Sequence, residues 1–398
     1  MKTCKFNFYP DQSTSQKLWS LSYEQTQIYN HVLESTASGF DYKKMHEASK
    51  MFRQEMSLTS PAKMTQNTVI RLINNWKSFL ALRKTDENAR APKRFASTWN
   101  FAPLIFDWNS GNGGFKFTDS SVNLLVKGKI YAQIKLPKYA LDLLKEADFT
   151  VADLKISMQD CKFCCSMTLK DIHQQKSSAG DKWASIDPGL THAISLITSD
   201  GVAVKWQNSP FKKLERSISE VQSKRDKKQK YSIRWKKLQK KFKKLSRKRA
   251  NRQKDFQHKL TSEVIKFCKI ESISKIFYGD IKTKKLTKSK VASTGLNKAT
   301  QNRGTLGRTK SFLQYKSGLN GIDFILTNEA YTSKTNCYTG EIYENMNLGI
   351  RIVEIDEGVW LDRDINAAIN IARRNLGSWL PQLEWISQIS VSERYVEV

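Results

Sequence analysis

The sequence predicts an α+β chain of several domains: a helical domain, a small β-barrel and an α/β domain that opens on a strand meander. The prediction rests on where the hydrophobic period changes. Residues 11 to 95 repeat apolar side chains every three or four positions. Residues 96 to 172 alternate in short aromatic and β-branched runs broken by turn residues, and from 183 onward apolar strands stand between tight turns. At 398 residues the chain can build two or three cores, and 39% apolar residues is ordinary for a folded protein.

The elements follow in order. "MKTCKFNFYP" alternates polar and apolar residues, so residues 1–10 are predicted as a first strand that pairs into the barrel. "QKLWSLSYEQTQIYNHVL" and "QNTVIRLINNWKSFLALRK" carry helical spacing with charged faces, which predicts a helical domain over 11–95. Over 96–172, "NSGNGG" is a turn signal, "VNLLVKGKIYAQIKL" reads as strands, and "KISMQDCKFCCSMTLK" reads as a hairpin. "QQKSSAGDK" marks a linker at 173–182. "WASID", "HAISLIT" and "VAVKW", joined by "PGLT" and "SDG", are three consecutive strands that open an α/β domain over 183–331. A basic helical insert at 210–269 interrupts that domain. Trp235, Leu238, Phe242 and Leu245 recur within it at intervals of three and four, an amphipathic helix. "WLDRDINAAINIARR" predicts a helix over 361–376 whose Ala367 and Ala368 permit close packing on a sheet, and residues 377–398 are left as a tail.

Charge narrows the partners. Lys and Arg number 67 against 38 Asp and Glu, a formal +29 that favours polyanions, nucleic acid first. Ribosomal or membrane-surface roles suit such charge too, but 10 Trp, 13 Tyr and 19 Phe supply core and stacking surface that small ribosomal proteins lack. No apolar run is long enough for a membrane span or a signal peptide, so the expected location is cytoplasmic. Six scattered cysteines suit free thiols, and the lone Cys161-x-x-Cys164 has no second pair at zinc-site distance.

The chemistry sits in the acids. A meander with Asp187 near the end of its first strand is how RNase H-like nucleases begin. Phosphodiester hydrolysis by two metal ions needs carboxylates converging from separate segments. An Asp capping the Pro-Gly turn explains the stretch equally well. Asp362 and Asp364 precede the helix at 361–376, where capping and the helix dipole are the plain alternative. Residues 212–254 hold 20 Lys and Arg against three acids, a density that phosphate makes comfortable. Arg234, Lys236, Lys237, Lys240, Lys241, Lys244, Arg247, Lys248, Arg249 and Arg252 are the expected nucleic-acid contacts, with "KTKKLTKSK" from Lys282 joining that surface. A solvated coiled-coil face or a localisation signal is the alternative.

"SIDPGLTHAISL", the basic stretch ending "RANRQKDFQHKL", "IFYGDIKTKKL", "YTSKTN" and "DRDINAAINI" stand in the order seen in TnpB-type proteins, which the chain resembles well over 183 to about 374 and loosely over its first half. These are transposon-encoded RNA-guided DNA nucleases, ancestral to type V CRISPR effectors. The resemblance implies a helical recognition domain, a β-barrel wedge domain and an RNase H-like (RuvC) α/β nuclease domain. It implies Mg²⁺-dependent cleavage of DNA specified by a noncoding guide RNA and a short flanking motif, by a monomer or homodimer. The first and last metal-holding acids would be Asp187 and Asp364. Family members place a Glu where this chain has Gly279 followed by Asp280, and Glu329, ending the apolar run "GIDFILTNE", is the expected replacement. The four cysteines of the family's zinc knuckle are missing: Asn336 and Thr339 take the first pair's places and Cys337 is out of register. Residues 332–360 are therefore expected to be a degenerate knuckle without structural zinc, replaced by a small apolar hairpin. The missing Glu and zinc ligands also suit an alternative, a nuclease-deficient RNA-guided repressor. A strand-transfer transposase shares the fold class but leaves the basic insert unexplained.

Overall fold

The computed structural model describes residues 2–36, 40–94, 100–107, 114–145, 149–159, 162–171, 180–208, 211–281, 305–344, 346, 349–377 and 381–396. The chain forms two units, residues 1–174 and 175–398. Among the described residues, no helix is long and apolar enough to cross a membrane.

In the first unit, β1 (Lys2–Phe8) leads to α1 (Gln12–Glu34), α2 (Tyr42–Glu55) and α3 (Ala62–Arg83). Then come β2 (Leu104–Asp107), β3 (Gly114–Phe117), β4 (Ser121–Val126), β5 (Lys129–Lys135), α4 (Lys138–Lys145), β6 (Phe149–Gln159) and β7 (Lys162–Asp171). Alternation sets the first strand: Cys4, Phe6 and Phe8 are buried, and β1 lies antiparallel to β7 with Lys2 opposite Leu169. The sheets β1-β7-β6-β2 and β3-β4-β5 share one apolar core, without hydrogen-bonding each other among the described residues. Leu18 and Leu21 of α1 and Met64 of α3 enter that same core. The regions read separately as 11–95 and 96–172 thus form one unit, because α1 and α3 begin by packing on the sheets. Further along, the three helices enclose a second core around Ile28, Met45, Leu72 and Ile73. Cys164 is a buried free thiol, whereas Cys161, most of the linker at 173–182 and the segment from Lys282 lie outside the described residues.

The second unit is built on a six-stranded sheet. β8 (Trp183–Asp187), β9 (His192–Thr198) and β10 (Ala203–Gln207) form the expected antiparallel meander. α5 (Lys212–Asp226) and α6 (Ile233–Ile270) follow, then β11 (Lys275–Gly279), α7 (Thr305–Leu319) and β12 (Asp323–Thr327). The hairpin β13 (Ile352–Asp356) and β14 (Val359–Asp362) precedes α8 (Arg363–Leu376), α9 (Leu383–Ser387) and β15 (Val391–Arg394). The sheet order is β12-β11-β8-β9-β10-β15, with β11 parallel to both β12 and β8.

Each strand divides its side chains by period two. Ala184, Ile186, Ile194, Trp206, Ile276 and Tyr278 face a core closed by Phe256, Leu260 and Val264 of α6. Trp183, Ile197, Ala203 and Phe277 face Ala368, Ile369 and Ala372 of α8. Ala367 and Ala368 are fully buried, and Ser185 Oγ donates to the Ala368 carbonyl at 2.6 Å, a separation that only a small helix residue allows. Two readings change. The insert at 210–269 is only half an insert, since α6 runs unbroken from an exposed basic half into the domain core. The tail at 377–398 contains β15, which pairs in parallel with β10 and satisfies an otherwise open sheet edge. Its short polar "VSER" has no apolar alternation to announce a strand.

Ala368→Leu is expected to destabilise the protein by about 1–3 kcal/mol through overpacking between α8 and β8. Denaturant unfolding against wild type measures it, and an unchanged midpoint would contradict this packing.

Candidate active site

Alternation places the acids before any catalytic argument. Trp183 and Ser185 face α8, so Asp187, two residues on, faces α8 as well. Asp187 pairs with Ser195 of β9, Ser195 with Lys205 of β10, and Lys205 with Glu393 of β15. On the other side, Gly279 follows Tyr278, the residue after the partner of Ser185, and pairs with Thr327 of β12. Thr327, Gly279, Asp187, Ser195, Lys205 and Glu393 therefore form one transverse row across the sheet, under the start of α8. The turn after Asp187 needs its glycine: a Cβ on Gly189 would stand 2.6 Å from the His192 carbonyl oxygen.

α8 delivers the other acids. Asp362 caps it, accepting from the Asp364 and Ile365 amides at 2.9 and 3.2 Å, as its position at a helix start suggests. Asp364, in the first turn, points back to the row. Its carboxylate lies 3.5 Å from Lys205 Nζ, 3.3 Å from Arg363 Nη2 and 3.5 Å from His192 Nδ1. Glu329 is held from the far end of the same helix. Arg374 donates to the carbonyls of Asn328 and Ala330, the latter at 2.6 Å, and Asn375 donates to Thr327 Oγ1 at 2.6 Å.

Glu329 stands where the missing family side chain would begin. A Cβ built on Gly279 would lie 3.0 Å from Glu329 Oε2 and 3.3 Å from Cδ of Pro188, the residue after Asp187. Gly279 thus leaves room for a carboxylate that arrives from β12 instead of β11. Oε2 of Glu329 is buried and has no hydrogen-bond partner.

Electrostatics shows the same convergence. Burial, then the charges of Glu329 and Asp364, push Asp187 well above the usual carboxylate range. Burial with the Asp280 charge pushes Glu329 up to about 7. Burial would raise Asp364 too, but Lys205 and Arg363 reverse the effect and hold it below its ordinary value. Asp187 feels the charges of both Glu329 and Asp364, yet among the described residues no group of three or more His, Cys, Asp or Glu stands close enough to hold a metal ion. Their donor chemistry fits a hard divalent cation: oxygen ligands, excess buried negative charge and one orphaned carboxylate oxygen.

Of the expected phosphate-contacting residues, Arg234, Lys236, Lys237, Lys240, Lys241, Lys244, Arg247, Lys248 and Arg252 are exposed on the outer half of α6. Arg249 is half-buried, 3.8 Å from Glu215 of α5. The apolar stripe is braced by α5, whose Arg225 guanidinium sits 4.7 Å over the Phe242 ring. Where knuckle cysteines would stand, Asn336 donates to the Ile355 carbonyl at 2.8 Å and the Cys337 thiol is buried and pushed up to about 12 by burial. Asn366 and Asn370 of α8 donate to the Thr335 carbonyl at 2.8 and 2.6 Å, tying this segment down. Sequence reasoning missed Lys205, His192, Arg363 and Arg374; Lys205, a lone cation inside the apolar run "AVKWQ", was the one with a signal.

A mixed α/β fold with an acidic centre between a sheet row and a helix start is the class defined here, and parts of the chain are similar to known families. Residues 163–285 match the family described as a probable transposase, OrfB_IS605, and residues 307–371 match the Cas12f1-like TNB domain. Each of these matches covers less than half of the chain. It is 26% identical over 227 residues to the TnpB-like protein L79 of Acanthamoeba polyphaga mimivirus, covering 53% of this chain and 40% of that protein. It is 21% identical over 393 residues to a Streptomyces pristinaespiralis protein named a putative RNA-guided DNA endonuclease, covering 94% and 89%. Its fold is similar to a chain of the Cas12f1-sgRNA-target DNA complex solved by cryo-EM, with a TM-score of 0.62, 12% identity, and coverage of 92% of this chain and 83% of that one.

In metal-free protein, the raised Glu329 favours the protonated form once folded. Stability contributed this way is present at low pH and is lost as pH rises from about 4.5 toward about 7. Glu329→Gln is expected to flatten that fall and to raise the melting temperature at pH 8 by roughly 3–6 °C. Calorimetry in chelator across pH 5–8 tests this, and parallel curves for the two proteins would contradict it.

Proposed function

We propose that the protein is an RNA-guided DNA endonuclease of the TnpB type, in which Asp187, Glu329 and Asp364 hold Mg²⁺ against a DNA phosphodiester. The observation that carries this reading is the seating of Glu329 at Gly279. A carboxylate supplied from the neighbouring strand restores the acid that the sequence lacks at its usual place. The relatives' names support the reading, and the two-ion arrangement is part of the proposal.

Bound Mg²⁺ would supply positive charge to the phosphate as one oxygen approaches and another leaves. The chain's own residues do the rest. Asp187 at the end of β8 and Glu329 just past β12 present oxygens from either side of β11. Lys205 and Arg363 keep Asp364 ionised and aimed at them, and the start of α8 adds its dipole toward the anion. The exposed cations of α6 contact guide or target backbone, and base pairing to the guide supplies sequence choice. The first unit would act as recognition and wedge modules that read the flanking motif.

The first test is cleavage of matched double-stranded DNA in Mg²⁺ by protein copurified with its RNA. Asp187→Ala and Glu329→Gln are each expected to reduce cutting at least about 100-fold, in line with removal of a group that acts on the transition state. Guided binding without cutting by the wild type would favour the repressor alternative. Replacing Lys236, Lys237, Lys240 and Lys241 by Ala is expected to weaken RNA binding and to flatten its salt dependence by about one unit of slope per lost phosphate contact. Filter binding over a salt series measures both, and an unchanged slope would remove α6 from the interface.

A further inference from the structure

Lys205 is the most deeply buried Lys, Arg, Asp or Glu residue among the described residues, at 4% exposure. Most of the chain's cations gain from water, so placing one here carries a desolvation cost that only close acids offset. Nζ lies 2.6 Å from Asp362 Oδ2 and 3.5 Å from Asp364 Oδ2. One ammonium therefore ties the cap of α8 and its first-turn acid to the middle of the sheet. It stands in the transverse row, two strands from Asp187, with Glu393 across the next strand. His192 bridges the same group, its two ring nitrogens each 3.5 Å from Asp364 and Glu393. A lysine needed only to anchor α8 would be served by Asp362 alone; this one also reaches Asp364, whose charge Asp187 feels.

We infer that Lys205 is a positioning residue of the nuclease centre, a fixed cation that holds Asp364 in working orientation and offsets the acids' repulsion when no divalent ion is bound. The inference rests on the metal-site reading proposed above. Because Lys205 and a divalent ion neutralise the same carboxylates, their contributions to stability are not additive. Losing the lysine makes the fold lean on the metal.

The test is thermal unfolding of the full chain in chelator and in saturating Mg²⁺, for wild type, Lys205→Met, Asp364→Asn and the double variant. In chelator, Lys205→Met is expected to lower the melting temperature by roughly 5–10 °C, and by much less in the Asp364→Asn background. Mg²⁺ is expected to raise the melting temperature of Lys205→Met by about twice the wild-type shift or more. Lys205→Arg, which keeps the charge, is expected to retain most of the wild-type value in chelator. If Lys205→Met is insoluble in chelator, it is expected to be recovered folded in Mg²⁺, and failure in both overturns the proposal. Equal losses with and without Mg²⁺, and with and without Asp364, would make Lys205 a packing residue and overturn it as well. A wild type that ignores Mg²⁺ refutes the metal-site reading, and this inference with it; a wild type that responds while Lys205→Met responds no more refutes this inference alone.

Discussion

Carboxylates that repel one another are held under the start of α8, and much of the second unit can be understood from the cost of keeping them there. Burial raises the pKa of both Asp187 and Glu329, and nearby acids add to it: Glu329 and Asp364 at Asp187, Asp280 at Glu329. Asp364 escapes because Lys205 and Arg363 stand beside it. The sheet row, the capped helix and the Arg374 clamp on the Glu329 loop all hold rigid what electrostatics would push apart.

Rigidity of this kind favours building such a site on strands and a helix rather than on loops. Asp187 ends a strand paired on both sides, and Asp364 sits in the first turn of a helix packed through Ala367 and Ala368. Glu329 is the exception. It lies two residues beyond β12, and its place is recovered by hydrogen bonds from Arg374 and Asn375. α8 thus fixes two acids, one from each end.

Much of this was legible in the sequence. The meander from Trp183, the small residues of α8 and the amphipathic stripe of α6 follow from hydrophobic period, and period is local. The placement of Glu329 beside Gly279 was legible from its position after an apolar run that neighbours the strand ending in Gly279. What escaped has one cause: it depends on contacts distant in sequence. β15 joins a strand that precedes it by about 190 residues and carries no alternation of its own. Lys205 is one cation in a chain of 67 Lys and Arg, and only its burial against Asp362 and Asp364 sets it apart. The separate helical and barrel domains merged because Leu18, Leu21 and Met64 face a core that no local pattern reveals.

The contact between Gly279 and Glu329 also bears on how such a chain can change through descent. A side chain added at 279 would start 3.0 Å from Glu329 Oε2 and 2.9 Å from Ile371 Cδ1, so the two positions compete for a single space. A chain with glutamates at both 279 and 329 would crowd two carboxylates into that space, and a chain with neither would leave it without one. A side chain at either position therefore limits the space open to the other.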